Sequence, residues 1–145
     1  MVLRSGCYVT HDHGDYAGPA PLTGEVDEPG FIPALEVWSE VISVPEPGRA
    51  IAGFGGRDAP FDAGLPVVLA RVAAGGPGPP VAMAGGVTAL NDQHAYIDTE
   101  RAPEVRVGDR LVCGIRHPCT AFDKRRRVLM ADDDYTVVEI IDTFF

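Results

Sequence analysis

His117, Pro118 and Cys119 stand out first, because an imidazole and a thiol two residues apart are a ligand pair for a borderline-soft metal such as zinc. They follow a predicted strand, and side chains at i and i+2 of an extended chain lie on one side. Pro118 biases the residue before it toward extended backbone, so the two side chains are expected to converge. Two protein ligands leave positions open for water or substrate, which is the arrangement of a catalytic metal site. Asp123, four residues past Cys119, is a possible third or alternative ligand. A chance His-x-Cys containing a structural thiol uses the same residues.

Asn91-Asp92-Gln93-His94 is a second cluster. His94 sits at the edge of a predicted strand beside groups that could hydrogen-bond its ring, as a proton carrier or ligand-orienting group. A turn in which Asp92 caps a backbone amide is the plainer alternative. His11 and His13 could chelate a metal as an i, i+2 pair, but two exposed loop histidines without a role are commoner. Asp58 and Asp62 read as loop caps and Trp38 as a core residue. Cys7 and Cys113 lie in apolar stretches and read as inert core thiols. No Ser-His-Asp order, phosphate-binding glycine loop or paired-cysteine zinc motif occurs. Gly53 to Asp58 is glycine-rich, but no helix follows it.

These residues need a scaffold of short strands. Period-two patterning and turn residues predict strands over Val2 to Thr10, Ala34 to Val44, Arg49 to Phe54, Val67 to Ala73, Val81 to Leu90, His94 to Asp98, Arg110 to Ile115, Val128 to Ala131 and Tyr135 to Thr143. Glu46-Pro47-Gly48 and Asp132-Asp133-Asp134 are the expected hairpin turns. His11 to Pro33, Gly55 to Pro66 and Pro118 to Arg126 are expected loops, and Gly75 to Pro80 a flexible turn. No segment has helical periodicity. Such a pattern predicts an all-β fold, a small barrel or sandwich forming one domain over residues 1–145.

With 145 residues the chain can bury a core. Its formal net charge of −9 opposes binding to nucleic acid, and the run Lys124 to Arg127 is too short to reverse that. No apolar stretch reaches the roughly 20 residues of a membrane helix. Three widely spaced cysteines and no secretion signal point to a reducing cytoplasm. Lys124 is the sole lysine.

Five segments, taken in order, add a family resemblance. They are RSGCYVTHD (Arg4 to Asp12), PALEVWSEVISVPEPGRAI (Pro33 to Ile51), RDAPFDAGLP (Arg57 to Pro66), LNDQHAYI (Leu90 to Ile97) and VGDRLVCGIRHPCTAFDK (Val107 to Lys124). Together they resemble the carboxy-terminal β-domain of D-threonine aldolases and D-serine dehydratases, fold-type III pyridoxal-phosphate enzymes built on the alanine-racemase plan. The resemblance implies a lyase acting on D-3-hydroxy amino acids, with a divalent metal, zinc or manganese, near the β-hydroxyl. Aldolases of the family release glycine and an aldehyde; in the dehydratases the β-hydroxyl leaves.

By position, His117 and Cys119 match the family's metal pair, with Asp123 still a candidate. Asp92 to His94 match a segment close to the site, which makes His94 and Asp92 candidate catalytic residues. Cys7 to Thr10 match the crossing between the domains, with Tyr8 a candidate cofactor contact. The family's amino-terminal β/α barrel, which carries the cofactor lysine, has no counterpart here. Arg125 and Gly56 stand where the family has tryptophan and lysine. The chain is therefore expected to be inactive alone and to need a barrel in cis or trans, within a homodimer. An inactive remnant or interaction module is the alternative.

Overall fold

A computed structural model describes residues 6–14, 31–76 and 78–144, and the backbone alone of Tyr8. The fold is all-β. Strands β1 (Glu36–Glu46), β2 (Arg49–Ala52), β3 (Val67–Val72), β4 (Val81–Ala82), β5 (Gly86–Leu90), β6 (Ala95–Asp98) and β7 (Arg110–Gly114) form one antiparallel sheet in the order β4-β3-β7-β1-β2-β6-β5. Strands β8 (Arg127–Ala131) and β9 (Val137–Asp142) form a separate hairpin. Among the described residues no helix is long and apolar enough to cross a membrane.

Strand β1 organises the sheet. Its first half pairs with β7 through Glu36↔Gly114 to Glu40↔Arg110, and its second half pairs with β2. The register shifts after Val41 and Ser43, and such bulges bend a strand and increase its twist. The sheet curls accordingly, bringing β3 near β5. The concave side is filled by alternating residues: Ala50 and Ala52 of β2, Ala95 and Ile97 of β6, and Leu111 and Cys113 of β7, packed with Val41, Phe54 and Ile115. Asp109 fastens the turn before β7. Its buried carboxylate accepts hydrogen bonds from Arg71 Nη1 (2.8 Å), Ala74 N (2.9 Å) and Arg106 N (2.9 Å).

Both expected hairpins form; Gly48, with φ of 83°, makes the tight link between β1 and β2. Three local expectations change. Residues Gly6–Val9 form a 3₁₀ helix where a strand from Val2 to Thr10 was expected, and residues 1–5 lie outside the described residues. The amides of Thr10 and His11 both bond the Cys7 carbonyl, so the backbone closes on itself instead of joining a sheet edge. The expected strand from Val81 to Leu90 breaks into β4 and β5. Gly85 there has φ of 156° and sits against the Asp98 carbonyl, where a Cβ would overlap. The loop from Pro118 holds a one-turn helix, α1 (Cys119–Phe122), and Pro118 itself is helical, with φ of −75° and ψ of −20°.

Candidate metal centre

Strand β7 lies between β1 and β3, and its continuation carries Ile115 into the core and delivers His117 to the rim. Because Pro118 is helical, His117 and Cys119 are not an extended i, i+2 pair. They converge because the chain turns at buried Pro118 into α1, with Ala121 N bonding the Pro118 carbonyl at 3.0 Å. Arg116 Nε, bonded to the Leu65 carbonyl at 2.9 Å, ties the same turn to the β2–β3 loop.

The arm 6–14 comes alongside this turn. His13 N bonds the Ile115 carbonyl at 2.9 Å, Ala34 N bonds the Thr10 carbonyl at 2.8 Å, and the His13 ring lies directly over Gly114. A side chain at 114 would occupy the space of that ring, so glycine there is what lets the arm close on β7. His11 and His13, expected as exposed loop residues, pack inward. His11 is buried, and burial lowers the His13 pKa despite the nearby Glu36 carboxylate.

The closure puts Cys7 at the site. Its Sγ lies 3.5 Å from Cys119 Sγ, and one ligand atom from each of Cys7, His117 and Cys119 lies within 4.8 Å of the others. Cys7 is therefore half-buried in a cluster rather than an inert core thiol; that role falls to Cys113 alone, whose thiol burial pushes up to about 12.

Asp62 completes the geometry. Its Oδ2 lies 2.6 Å from His117 Nδ1, and Thr120 Oγ1 donates to its Oδ1 at 3.3 Å. The hydrogen bond to Asp62 raises the His117 pKa above its ordinary value, and the same bond lowers that of Asp62. A carboxylate on Nδ1 fixes the tautomer that leaves Nε2 as the ligand atom, the usual orienting partner of a metal-binding histidine. Asp62, expected only as a loop cap, is the anchor of this ring.

One loop connects the remaining candidates to the centre. Between β2 and β3, Gly56 N and Arg57 N bond the carbonyls of Asn91 and Asp92, and Arg57 Nη2 reaches Asp92 Oδ2 at 3.4 Å. Gly55 approaches the Asn91–Asp92 backbone so closely that no Cβ would fit. Asp58 caps the loop at Gly55 N (3.0 Å), as expected, and also holds Arg125. Asp92 and His94 are exposed on the β5–β6 turn, outside the Cys7–His117–Cys119 cluster. Asp123 is the exposed C-cap residue of α1 and also lies outside it. The Tyr8 side chain lies outside the described residues. A pocket of about 330 Å³ opens beside the thiols, lined by Gly6, Val9, Thr10, Pro118 and Phe122.

Residues 34–131 match the family described as a putative serine dehydratase domain. The chain belongs to that family. A D-threonine aldolase from Filomicrobium marinum is similar in structure, with 25% sequence identity and a TM-score of 0.71 over 93% of this chain. This chain spans 33% of the aldolase's length. No curated protein matches it.

As a serine-dehydratase-type domain, the chain has the donors for a divalent metal: one imidazole oriented through Nδ1 and two thiols. It does not fit pyridoxal phosphate as its own resident group. Lys124, the single lysine, is exposed in the turn after α1.

Proposed function

We propose that this chain is the metal-binding β-domain of a pyridoxal-phosphate-dependent lyase acting on D-3-hydroxy amino acids. The convergence of His117 and Cys119, with Asp62 hydrogen-bonded to His117 Nδ1, is the observation that carries the reading. A bound divalent metal supplies Lewis-acid polarisation of the substrate's β-oxygen. The chain's own residues shape the metal site. Asp62 orients His117, Pro118 and α1 set Cys119 beside it, and Pro118 and Phe122 give the pocket an apolar lining. His94 is the proposed proton carrier, with Asp92 and Arg57 fixing its turn; Tyr8, next to Cys7, is the proposed contact to the cofactor.

The cofactor and its lysine then belong to a β/α barrel, in cis or in trans, within a homodimer. The aldolase's greater length is consistent with this division. So is the β8–β9 hairpin, which exposes Leu129, Met130, Val137, Val138, Ile140 and Ile141. Clustered apolar exposure of this kind marks a surface that packs against protein.

The match to a serine dehydratase family and the likeness to a threonine aldolase name two reactions, and products separate them. The protein containing this domain, supplied with pyridoxal phosphate and zinc, is offered D-threonine and D-serine. Glycine and acetaldehyde from D-threonine, lost in His117→Ala, support the aldolase. Pyruvate and ammonia from D-serine with no retro-aldol product identify the dehydratase. No product from a folded, metal-loaded protein overturns the lyase reading and leaves an inactive interaction module, which the exposed hairpin also suits.

A further inference from the structure

Resting on the reading that His117 and Cys119 hold a metal, we propose that Cys7 is a third protein ligand, making a Cys₂His centre selective for thiophilic metals such as zinc. The spacing fits. Two thiolates bound to one zinc at about 2.3 Å each, with their sulfurs 3.5 Å apart, subtend roughly 100° at the metal, near the tetrahedral angle. His117 Nε2, left available by the Asp62 bond to Nδ1, is the third donor. Three protein ligands would leave one position of a tetrahedral site open, and a pocket lies beside the two sulfurs.

The placement of Cys7 is enforced locally. The residue lies 112 positions before Cys119 and reaches it through a chain of specific contacts. Thr10 N and His11 N bond the Cys7 carbonyl and close the 3₁₀ turn. His13 N bonds the Ile115 carbonyl, and the His13 ring occupies the space over Gly114. The turn into α1 presents Cys119 from the other side. Thus the arm and the β7–α1 turn, the first and a late segment of the fold, each supply one sulfur.

Ligand chemistry then sets selectivity. Magnesium and manganese favour carboxylate, carbonyl and water oxygens, whereas thiolates favour zinc and similar soft or borderline ions. A second thiolate beside His117 therefore widens the preference for zinc over manganese.

The test is titration of the metal-free, reduced chain with cobalt(II), followed by displacement with zinc. Wild type, Cys7→Ser, Cys119→Ser and His117→Ala are compared, with circular dichroism confirming the fold of each. Cys7 lies outside the hydrophobic core, so its serine variant should retain the fold. Wild type is expected to show thiolate-to-cobalt charge-transfer absorption that falls to about half in both cysteine variants. Zinc affinity falls at least about tenfold in Cys7→Ser, since losing even an outer-shell partner costs that much. Excess manganese should not displace zinc from wild type. X-ray absorption of the zinc-loaded wild type provides a readout that needs no variant, with two sulfur neighbours expected.

One sulfur neighbour, or unchanged absorption and affinity in Cys7→Ser, overturns the assignment of Cys7 while leaving the His117–Cys119 pair intact. No cobalt absorption in wild type, or binding unaffected by His117→Ala and Cys119→Ser, overturns the pair and Cys7 with it.

Discussion

Asp62→Ala should weaken zinc binding by about 10–100-fold without removing a ligand. Asp62 Oδ2 sits 2.6 Å from His117 Nδ1 and is steadied by Thr120 Oγ1, so the carboxylate fixes both the tautomer and the ring orientation. The expected loss corresponds to about 1.4–2.7 kcal/mol, the range for orienting partners of metal-bound histidines. Asp62→Asn keeps an acceptor but loses the charge. With side-chain exposures of 33% for His117 and 49% for Asp62, the charge is partly screened by solvent, and the smaller end of the range is expected for asparagine.

The pH dependence carries a sign. The bond to Asp62 raises the His117 pKa above 6.5, so a proton competes with metal at low pH, and wild-type affinity climbs as the pH rises through that raised value. In Asp62→Ala the climb moves to lower pH. The deficit of the variant is therefore largest near pH 8 and shrinks toward pH 6. In the metal-free chain the raised His117 stabilises the fold below its ordinary pKa, an effect lost as pH rises through the raised one. The lowered Asp62 stabilises it above 3.8, an effect lost as pH falls through the lowered value. The ion pair thus contributes only between those two limits. Competition against a chromophoric chelator at several pH values measures the affinity. Equal zinc affinity of wild type and Asp62→Ala at pH 8 would refute the orienting role.

Other consequences are separable. Asp109→Ala strands two backbone N–H groups and partly buried Arg71, and should cost about 2–4 kcal/mol in urea unfolding. Burial raises the Asp109 pKa, but Arg71 and the two amides outweigh it and hold the value below 3.8. Its contribution is full above 3.8 and lost as pH falls through the lowered value, so the variant's stability should depend less on acid than wild type's; parallel acid profiles would contradict this. Gly114→Ala collides with the His13 ring and should lower stability by about 1–3 kcal/mol while displacing the arm. Unchanged thermal stability would place the arm elsewhere. In the metal-free native protein a thiol reagent should modify exposed Cys119 quickly and leave Cys113 untouched until unfolding, because burial holds that thiol near 12; zinc should protect Cys119.

Much of the scaffold is visible in the sequence because strands with one buried face announce themselves by alternation. Ala50 and Ala52, then Ala95 and Ile97, point inward at period two, and Pro47-Gly48 and the run of aspartates at 132–134 mark the two turns. His117 and Cys119 are legible for the same reason that short motifs usually are: both ligands come from one turn. Cys7 and Asp62 are not legible by spacing, since they reach the site from 112 and 55 residues away through tertiary contact. The nearest signal was the segment RSGCYVTHD, where family resemblance drew attention to Cys7 but apolar neighbours suggested a core thiol. The 3₁₀ turn at Gly6–Val9 is not legible, because β-branched and aromatic residues favour strands only where a partner strand exists. The helical turn at Pro118 is not legible either, because proline restricts the residue before it while its own backbone can be helical.

Metal stoichiometry tests the centre most directly. The reduced chain is loaded with zinc, passed through a desalting column and assayed for zinc per polypeptide, alongside His117→Ala and Cys119→Ala. About one zinc per wild-type chain is predicted, with strong depletion in both folded variants. A zinc-free wild type, or variants that retain zinc at the wild-type ratio, would contradict a metal centre built on His117 and Cys119.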